Sequence, residues 1–422
     1  MRMRFVLFMT YLFPPLGGGG VQRTAKFAKY LPQNGWKPVV ITAEVNRRNS
    51  IEQGIDYSPM KELKDDTFDA IRCRSWELSH LYYLLHRVGL RKILFEFERL
   101  VPLLHMNYKV GWYRTACREA EKVIYNRPVK LIYSSSPPYS CHLAARELQK
   151  RYRLPWVADF RDPWTQGVYN PPTKLHEYLD SRLERITVRN ADAVIVNTET
   201  NKSTLLQKYD LRKVYVIPNG YDPEDFAGIP DDLPKPSRFI VACFGKLHPL
   251  SDPTFLFRAY RRFHDRHPDT HLRILGECAR PIRNAMSSVL KQGSWESSGR
   301  IDHETAVSFM AKSSVLLANV SSENCGYWVP GKLYEYLAAR KPILFIGPEK
   351  GDAADILKAT QSGKVVGFEE EAVLKALEDL YQQRLNGSEK GTSDPAAILK
   401  YDRRAQTREL ADIFNTLAGS SV

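Results

Sequence analysis

The sequence predicts an α/β protein of two domains, each built on a parallel β-sheet covered by helices on both faces. Three observations carry this expectation. The chain has 422 residues, 43% hydrophobic and 26% charged, more than one growing core usually accommodates and typical of a globular protein. Short apolar runs alternate with helical stretches throughout, the pattern of parallel strands joined by crossover helices. A turn and a linker-like stretch then divide the series in two.

The first series begins with a strand over Arg4–Thr10 and a helix over Val21–Leu31. Strands follow over Pro38–Thr42, Leu131–Ser134, Trp156–Phe160, Ala193–Asn197 and Val214–Ile217, with a helix running from Tyr139 to Tyr152. The opening Met1–Met9 is too short an apolar run for a secretion signal and meets Pro14-Pro15-Leu16-Gly17 without a small-residue cleavage site. Ile217-Pro218-Asn219-Gly220-Tyr221-Asp222 closes this series in a turn, and the proline-rich 229–236 stretch reads as a linker. The second series has strands over Phe239–Phe244, Leu272–Leu275, Val315–Val320, Pro342–Ile346 and Lys364–Gly367, with a helix from Asp252 to His267. Asn386–Asp394 is polar and reads as a loop. A last helix over Tyr401–Leu417 carries Leu410, Ile413, Phe414 and Leu417 on one face. The expected division is therefore 1–220, 221–400 and a terminal helix in 401–422.

Composition narrows the function. The formal charge of +13 suits anionic partners such as phosphorylated substrates or anionic lipid. No recognition-helix, zinc or base-stacking pattern points to nucleic acid. Six scattered cysteines lack metal-ligand spacing, which fits a reducing cytoplasm. No apolar run reaches the roughly 18 residues a bilayer span needs. Between Arg87 and Lys122 eight Lys or Arg stand against four Glu, interleaved with Leu, Ile and Phe. Such a mixture forms a face able to lie on an anionic membrane, or an ordinary helix with a solvated basic side.

In open parallel sheets ligands bind beyond the carboxyl ends of the strands, and the distinctive motifs here all follow strand ends. Phe13-Pro14-Pro15 leads into Gly17–Gly20 and a helix. Gly18, Gly19 and Gly20 allow close backbone approach, the helix start favours an anion, and Arg23 adds a fixed charge. The spacing is neither a dinucleotide fingerprint nor a Walker A loop. Ser134–His142 combines hydroxyls and prolines at a strand end. In Asp159-Phe160-Arg161-Asp162 two carboxylates flank an arginine, either as a buried network or as a clamp for a polyhydroxylated substrate. Gly245-Lys246 directly follows the second series' first strand, as a diphosphate seat would require. Arg300-Ile301-Asp302-His303 reads as a strand end that can line a base pocket. Pro330-Gly331-Lys332-Leu333-Tyr334-Glu335 is the most informative stretch: a glycine, a helix start for phosphate, and a carboxylate able to accept both ribose hydroxyls.

Together these residues resemble glycosyltransferase family 4, of GT-B architecture, over nearly the whole chain. Phe13–Gly20 is similar to the family's glycine loop, Ile217–Asp222 to its inter-domain signature, and Pro330–Leu337 with Lys341-Pro342 to its donor-nucleotide loop. The Ser135–Tyr139 and Asp159–Trp164 segments resemble a polysaccharide-assembly branch. The resemblance implies two facing Rossmann-like domains with a ligand cleft between them and a C-terminal helix crossing back to the first. It also implies a nucleoside-diphosphate sugar as donor, a lipid-linked or saccharide acceptor, retention at the anomeric carbon, and no metal or cofactor. Under it, Gly18, Gly19, Gly20, Arg23, Gly245, Lys246, Gly331, Lys332, Leu333 and Glu335 hold the donor, and Asp159, Arg161 and Asp162 serve catalysis. Three departures stand out. Tyr327 occupies the place of the donor motif's first Glu, Lys246 replaces an Arg, and Ser251 replaces a Lys. A catalytic-region His found in some members falls near Arg161. An epimerase acting on the same donor, a non-catalytic assembly subunit and a two-domain dehydrogenase are the rival expectations, the last disfavoured by the missing fingerprint.

Overall fold

The computed structural model describes residues 3–63, 67–75, 84–85, 87–90, 92–93, 96, 109–165, 173–230, 236–247, 250, 253–276, 278–299, 301–387 and 393–419. Two sheets carry the chain. The first comprises β1 (Arg4–Met9), β2 (Trp36–Ala43), β3 (Asp69–Cys73), β4 (Val129–Ser136), β5 (Trp156–Phe160), β6 (Ala193–Val196) and β7 (Val214–Val216), in the order β3-β2-β1-β4-β5-β6-β7. The second comprises β8 (Phe239–Phe244), β9 (Thr270–Leu275), β10 (Trp295–Ser298), β11 (Val315–Asn319), β12 (Ile343–Ile346) and β13 (Gly363–Val366), in the order β10-β9-β8-β11-β12-β13. Their pairings are parallel.

Two strands had no apolar signature. Asp-Ala-Ile-Arg-Cys of β3 and Trp-Glu-Ser-Ser of β10 are edge strands that keep partly exposed polar residues. Their pairing with β2 and β9 supplies backbone hydrogen bonds that composition cannot announce. Arg300 lies outside the described residues, and so do Ser251 and, within the 87–122 stretch, residues 91, 94–95 and 97–108.

The chain divides into a unit of Met1–Pro218 with Arg403–Val422 and a unit of Asn219–Asp402. In the first, side chains alternate between two faces of the sheet. Val6, Phe8, Leu131, Tyr133, Val157 and Ile195 pack under the helix Gly19–Tyr30 and the helix Arg403–Gly419. Phe414, fully buried, meets the rings of Trp36 and Tyr133 edge-on at 5.4 and 6.0 Å. Burying such a side chain contributes about 1.5–3 kcal/mol, enough to explain why the terminal helix is part of this unit. Leu7, Met9, Ile132 and Ala158 face the helices Val110–Asn126 and Ser140–Tyr152.

Both sheets reverse their strand order once, between β1 and β4 and between β8 and β11. Crossovers leave in opposite directions at such a point and open a crevice at the carboxyl ends of the two strands. The Phe13–Gly20 loop follows β1, Ser136–Tyr139 follows β4, Gly245-Lys246 follows β8, and the Pro330–Glu335 segment follows β11.

Candidate active site

At the first reversal, Tyr133 and Ser135 project from the same face of β4, and Asp159 is the register partner of Ser135 on β5. The helix Gly19–Tyr30 lays Arg23 over them. Its guanidinium grips Asp159 in a fork, Nε to Oδ2 at 2.8 Å and Nη2 to Oδ1 at 2.9 Å, while Nη1 donates to the Pro218 carbonyl at 2.8 Å. Tyr133 and Ser135 hydroxyls also donate to Oδ2. Both charged side chains have no exposure. Burial opposes ionisation of each, yet their pairing outweighs it: Arg23 is held above its ordinary value and Asp159 below its own.

This geometry corrects two expectations. Arg23 cannot neutralise a diphosphate, because its charge is already matched and sealed from solvent. Asp159 cannot touch a substrate for the same reason; it fixes β4, β5 and the glycine-loop helix together. Of the Asp159–Arg161–Asp162 trio, only Asp162 is well exposed, with 52% of its side chain accessible. Arg161 is nearly buried and donates to the carbonyls of Gly20 and Pro137, tying the two loops at the reversal to each other. A Cβ on Gly20 would stand 2.6 Å from that guanidinium carbon, so a side chain there would expel Arg161. Gly18 and Gly19 are exposed at the helix start. Beyond Asp162 the chain is pinned by Trp164, stacked on Tyr139 at 4.1 Å and donating through Nε1 to Asp180.

His142 lies on the other face of β4 and takes no part in this site. Its Nδ1 is 2.8 Å from the Ser134 hydroxyl, which also accepts from Trp156 Nε1. Burial pushes its imidazole down from 6.5 to about 3, against a smaller upward pull from Asp159. The unfolded chain therefore takes up a proton near 6.5 that the folded protein refuses until about 3. Stability should fall as pH drops through that window, with a slope approaching about 1.4 kcal/mol per pH unit from this group. Urea midpoints measured across the interval check this, and His142→Gln should flatten the slope.

At the second reversal β8 and β11 pair only through Val241–Val315 and Ala242–Leu316. Beyond that point the fully buried Tyr336 hydroxyl accepts from Phe244 N at 2.9 Å and donates to Leu317 O at 3.2 Å, satisfying both strands where they part. Gly245 turns the chain with φ +67°, and Gly276 lies so close behind it that a Cβ would come within 2.0 Å of the Gly245 carbonyl. Lys246 is exposed. Lys332 reaches across to it: Nζ donates to the Lys246 carbonyl at 2.8 Å and lies 3.3 Å from Cys243 Sγ.

Lys332 opens the helix Lys332–Ala339, with Gly331 at its cap. The N–H groups of Gly331 and Lys332 have no acceptor among the described residues. Leu333 is a correction. Its side chain is fully buried and its N–H donates to Pro330 O, which leaves it nothing to offer a ligand. Glu335 is half-exposed, and its Oε1 lies 3.1 Å from Nε2 of His303. Tyr327 sits half-buried in the loop ahead of the helix. Tyr336, on the core side of the Pro330–Leu337 motif, has a place that sequence reasoning gave no role, and His303, read as the end of a strand able to line a base pocket, instead opens the helix His303–Ala311 and meets Glu335.

Residues 17–225 match the family model described as Glycosyltransferase Family 4. A D-inositol 3-phosphate glycosyltransferase of Corynebacterium kroppenstedtii is 31% identical over 115 residues, covering 25% of this chain and 25% of that protein. The match thus spans about a quarter of the length of that curated relative. Among solved structures, sucrose-phosphate synthase from Thermosynechococcus elongatus superposes with a TM-score of 0.71 at 15% identity, covering 100% of both chains. Anabaena HepE, in complex with UDP and glucose, gives 0.65 at 14% identity, covering 98% of this chain and 100% of that one. These likenesses show the fold: two parallel-sheet α/β domains of the GT-B type.

Proposed function

Residues 17–225 place the chain in glycosyltransferase family 4, and from that premise we propose that it moves a sugar from a nucleoside-diphosphate donor to an acceptor hydroxyl. One observation carries the donor assignment. At the second sheet's reversal two unengaged helix amides, Lys246, Lys332 and Glu335 come together, the complement of a diphosphate followed by a ribose. That Anabaena HepE, of similar fold, was crystallised with UDP and glucose supports a nucleotide-sugar donor.

The chemistry follows from charge. As the glycosidic bond breaks, negative charge grows on the leaving diphosphate, and cations with amide donors already in place stabilise it without reorganising. In this mechanism Gly331 and Lys332 supply amides, Lys246 and Lys332 supply charge, and Gly245 lets the backbone come close. We assign retention at the anomeric carbon, with the leaving phosphate helping to deprotonate the acceptor, and no metal requirement. In the first unit Asp162, at the exposed end of the trio, orients the acceptor, and Gly18 and Gly19 give it an approach, whereas the space over Gly20 is taken by Arg161. A lipid-linked acceptor in surface-polysaccharide assembly suits the basic and apolar 87–122 stretch, with action at the inner face of a membrane. No helix among the described residues is long and apolar enough to cross a membrane.

The test is incubation of pure protein with UDP- and GDP-sugars, following thermal shift and diphosphate release with and without saccharide or lipid acceptors. Acceptor-dependent release is expected. Conversion of the donor without any acceptor would mark an epimerase, and no shift with any nucleotide would sink both enzyme assignments. Glu335→Ala should weaken nucleotide binding about 10- to 100-fold, the loss of charge-assisted hydrogen bonds worth roughly 1.5–3 kcal/mol. Unchanged affinity would remove Glu335 from the ribose.

A further inference from the structure

We propose that His303 is a positioning residue of the donor site: it holds one oxygen of Glu335 so that the other is presented to the nucleotide's ribose diol. The inference rests on the assignment of Glu335 to the ribose. Its geometric basis is direct. His303 Nε2 stands 3.1 Å from Glu335 Oε1, and the carboxylate makes no other hydrogen bond or ion pair among the described residues. Oε2 is therefore left for a ligand. Glu335 is 32% and His303 36% exposed, so the pair sits at the surface of the crevice rather than inside a core.

Both side chains stand on fixed helix starts. His303 is the first residue of the helix His303–Ala311, whose cap Asp302 accepts from Thr305 N at 2.8 Å and Thr305 Oγ1 at 2.7 Å. Glu335 lies in the first turn of a helix anchored by buried Leu333, Tyr334, Tyr336 and Leu337. A glutamate free in solvent samples many rotamers, and ordering it costs ligand affinity. Tethering one oxygen removes that cost before the ligand arrives. A ring N–H donating to one carboxylate oxygen orients the group and leaves the other oxygen to accept from the ribose hydroxyls.

The experiment compares UDP and GDP with their 2′,3′-dideoxy analogues by calorimetry, on the full chain and its Glu335→Ala, His303→Ala and His303→Gln variants. The parent should prefer the ribose form of the nucleotide it binds, and Glu335→Ala should abolish that preference. His303→Ala should reduce the preference about tenfold while leaving dideoxy affinity unchanged, and His303→Gln, which retains an N–H donor, should restore part of it. If His303→Ala keeps the full preference that Glu335→Ala loses, or weakens both ligands equally, the positioning role is overturned and the ribose assignment stands. If Glu335→Ala keeps the preference, or neither nucleotide binds, the ribose assignment itself fails.

Discussion

Asp159→Asn is expected to lower the melting temperature of the first unit by about 10 °C or more. The substitution keeps volume and shape but removes the negative charge that Arg23 faces in a site with no solvent exposure. Breaking one partner of a buried pair strands the other, at a cost of about 3–5 kcal/mol. For a unit of this size each kcal/mol shifts the midpoint by about 2–4 °C. The loss also spreads, because Tyr133, Ser135 and the Pro218 carbonyl all belong to the same network. Asp162→Asn is the control: the same chemical change three residues along, beyond the end of β5 and on an exposed side chain, should leave the midpoint within about 1 °C, as surface substitutions usually do. Arg23→Met combined with Asp159→Leu should recover much of the stability, since an apolar replacement leaves no buried charge. A single Asp159→Asn variant melting like the parent would mean that the pair contributes little to folding.

That pair also shows where sequence reasoning stops. An arginine after a glycine loop and a carboxylate at a strand end each have the composition of a ligand site. Only the pairing across 136 residues in sequence reveals that each one consumes the other's charge. Strand positions and their parallel sense were largely legible because buried parallel strands need apolar runs, and β1, β4, β5, β8 and β11 all have them. The edge strands β3 and β10 were not, since one open side tolerates Asp, Arg, Glu and Ser. The Pro330–Glu335 motif announced a helix start and a carboxylate, and both occur where expected. What it could not announce was Tyr336 propping the crevice from the core side, or a histidine 32 residues upstream meeting Glu335. Such contacts are made by the fold and leave no local periodicity.

Lys332→Met should reduce glycosyl transfer about 100-fold while changing the melting temperature little. The methionine keeps the apolar stem and removes the ammonium group. In the nucleotide-free protein that group is already held at the crevice, donating to the Lys246 carbonyl and lying beside Cys243 Sγ. A cation fixed before the substrate arrives stabilises the charge that develops on the leaving diphosphate, and removing one such donor typically costs about 10²–10³ in turnover. The ground-state diphosphate already carries charge, so nucleotide affinity should also fall, by less than turnover does, because charge at the bridging oxygen grows as the bond breaks. The separation is measurable: single-turnover rates of donor cleavage against calorimetric affinity for the product nucleotide. Equal losses in both would assign Lys332 to binding alone, and unchanged values in both would leave it as a brace for the Gly245-Lys246 loop. Lys246→Met sharpens the distinction. Lys246 is exposed and contributes its backbone carbonyl to the Lys332 contact, which the substitution preserves. Its removal should therefore cost less than that of Lys332, whose ammonium is oriented by two protein atoms before any nucleotide binds.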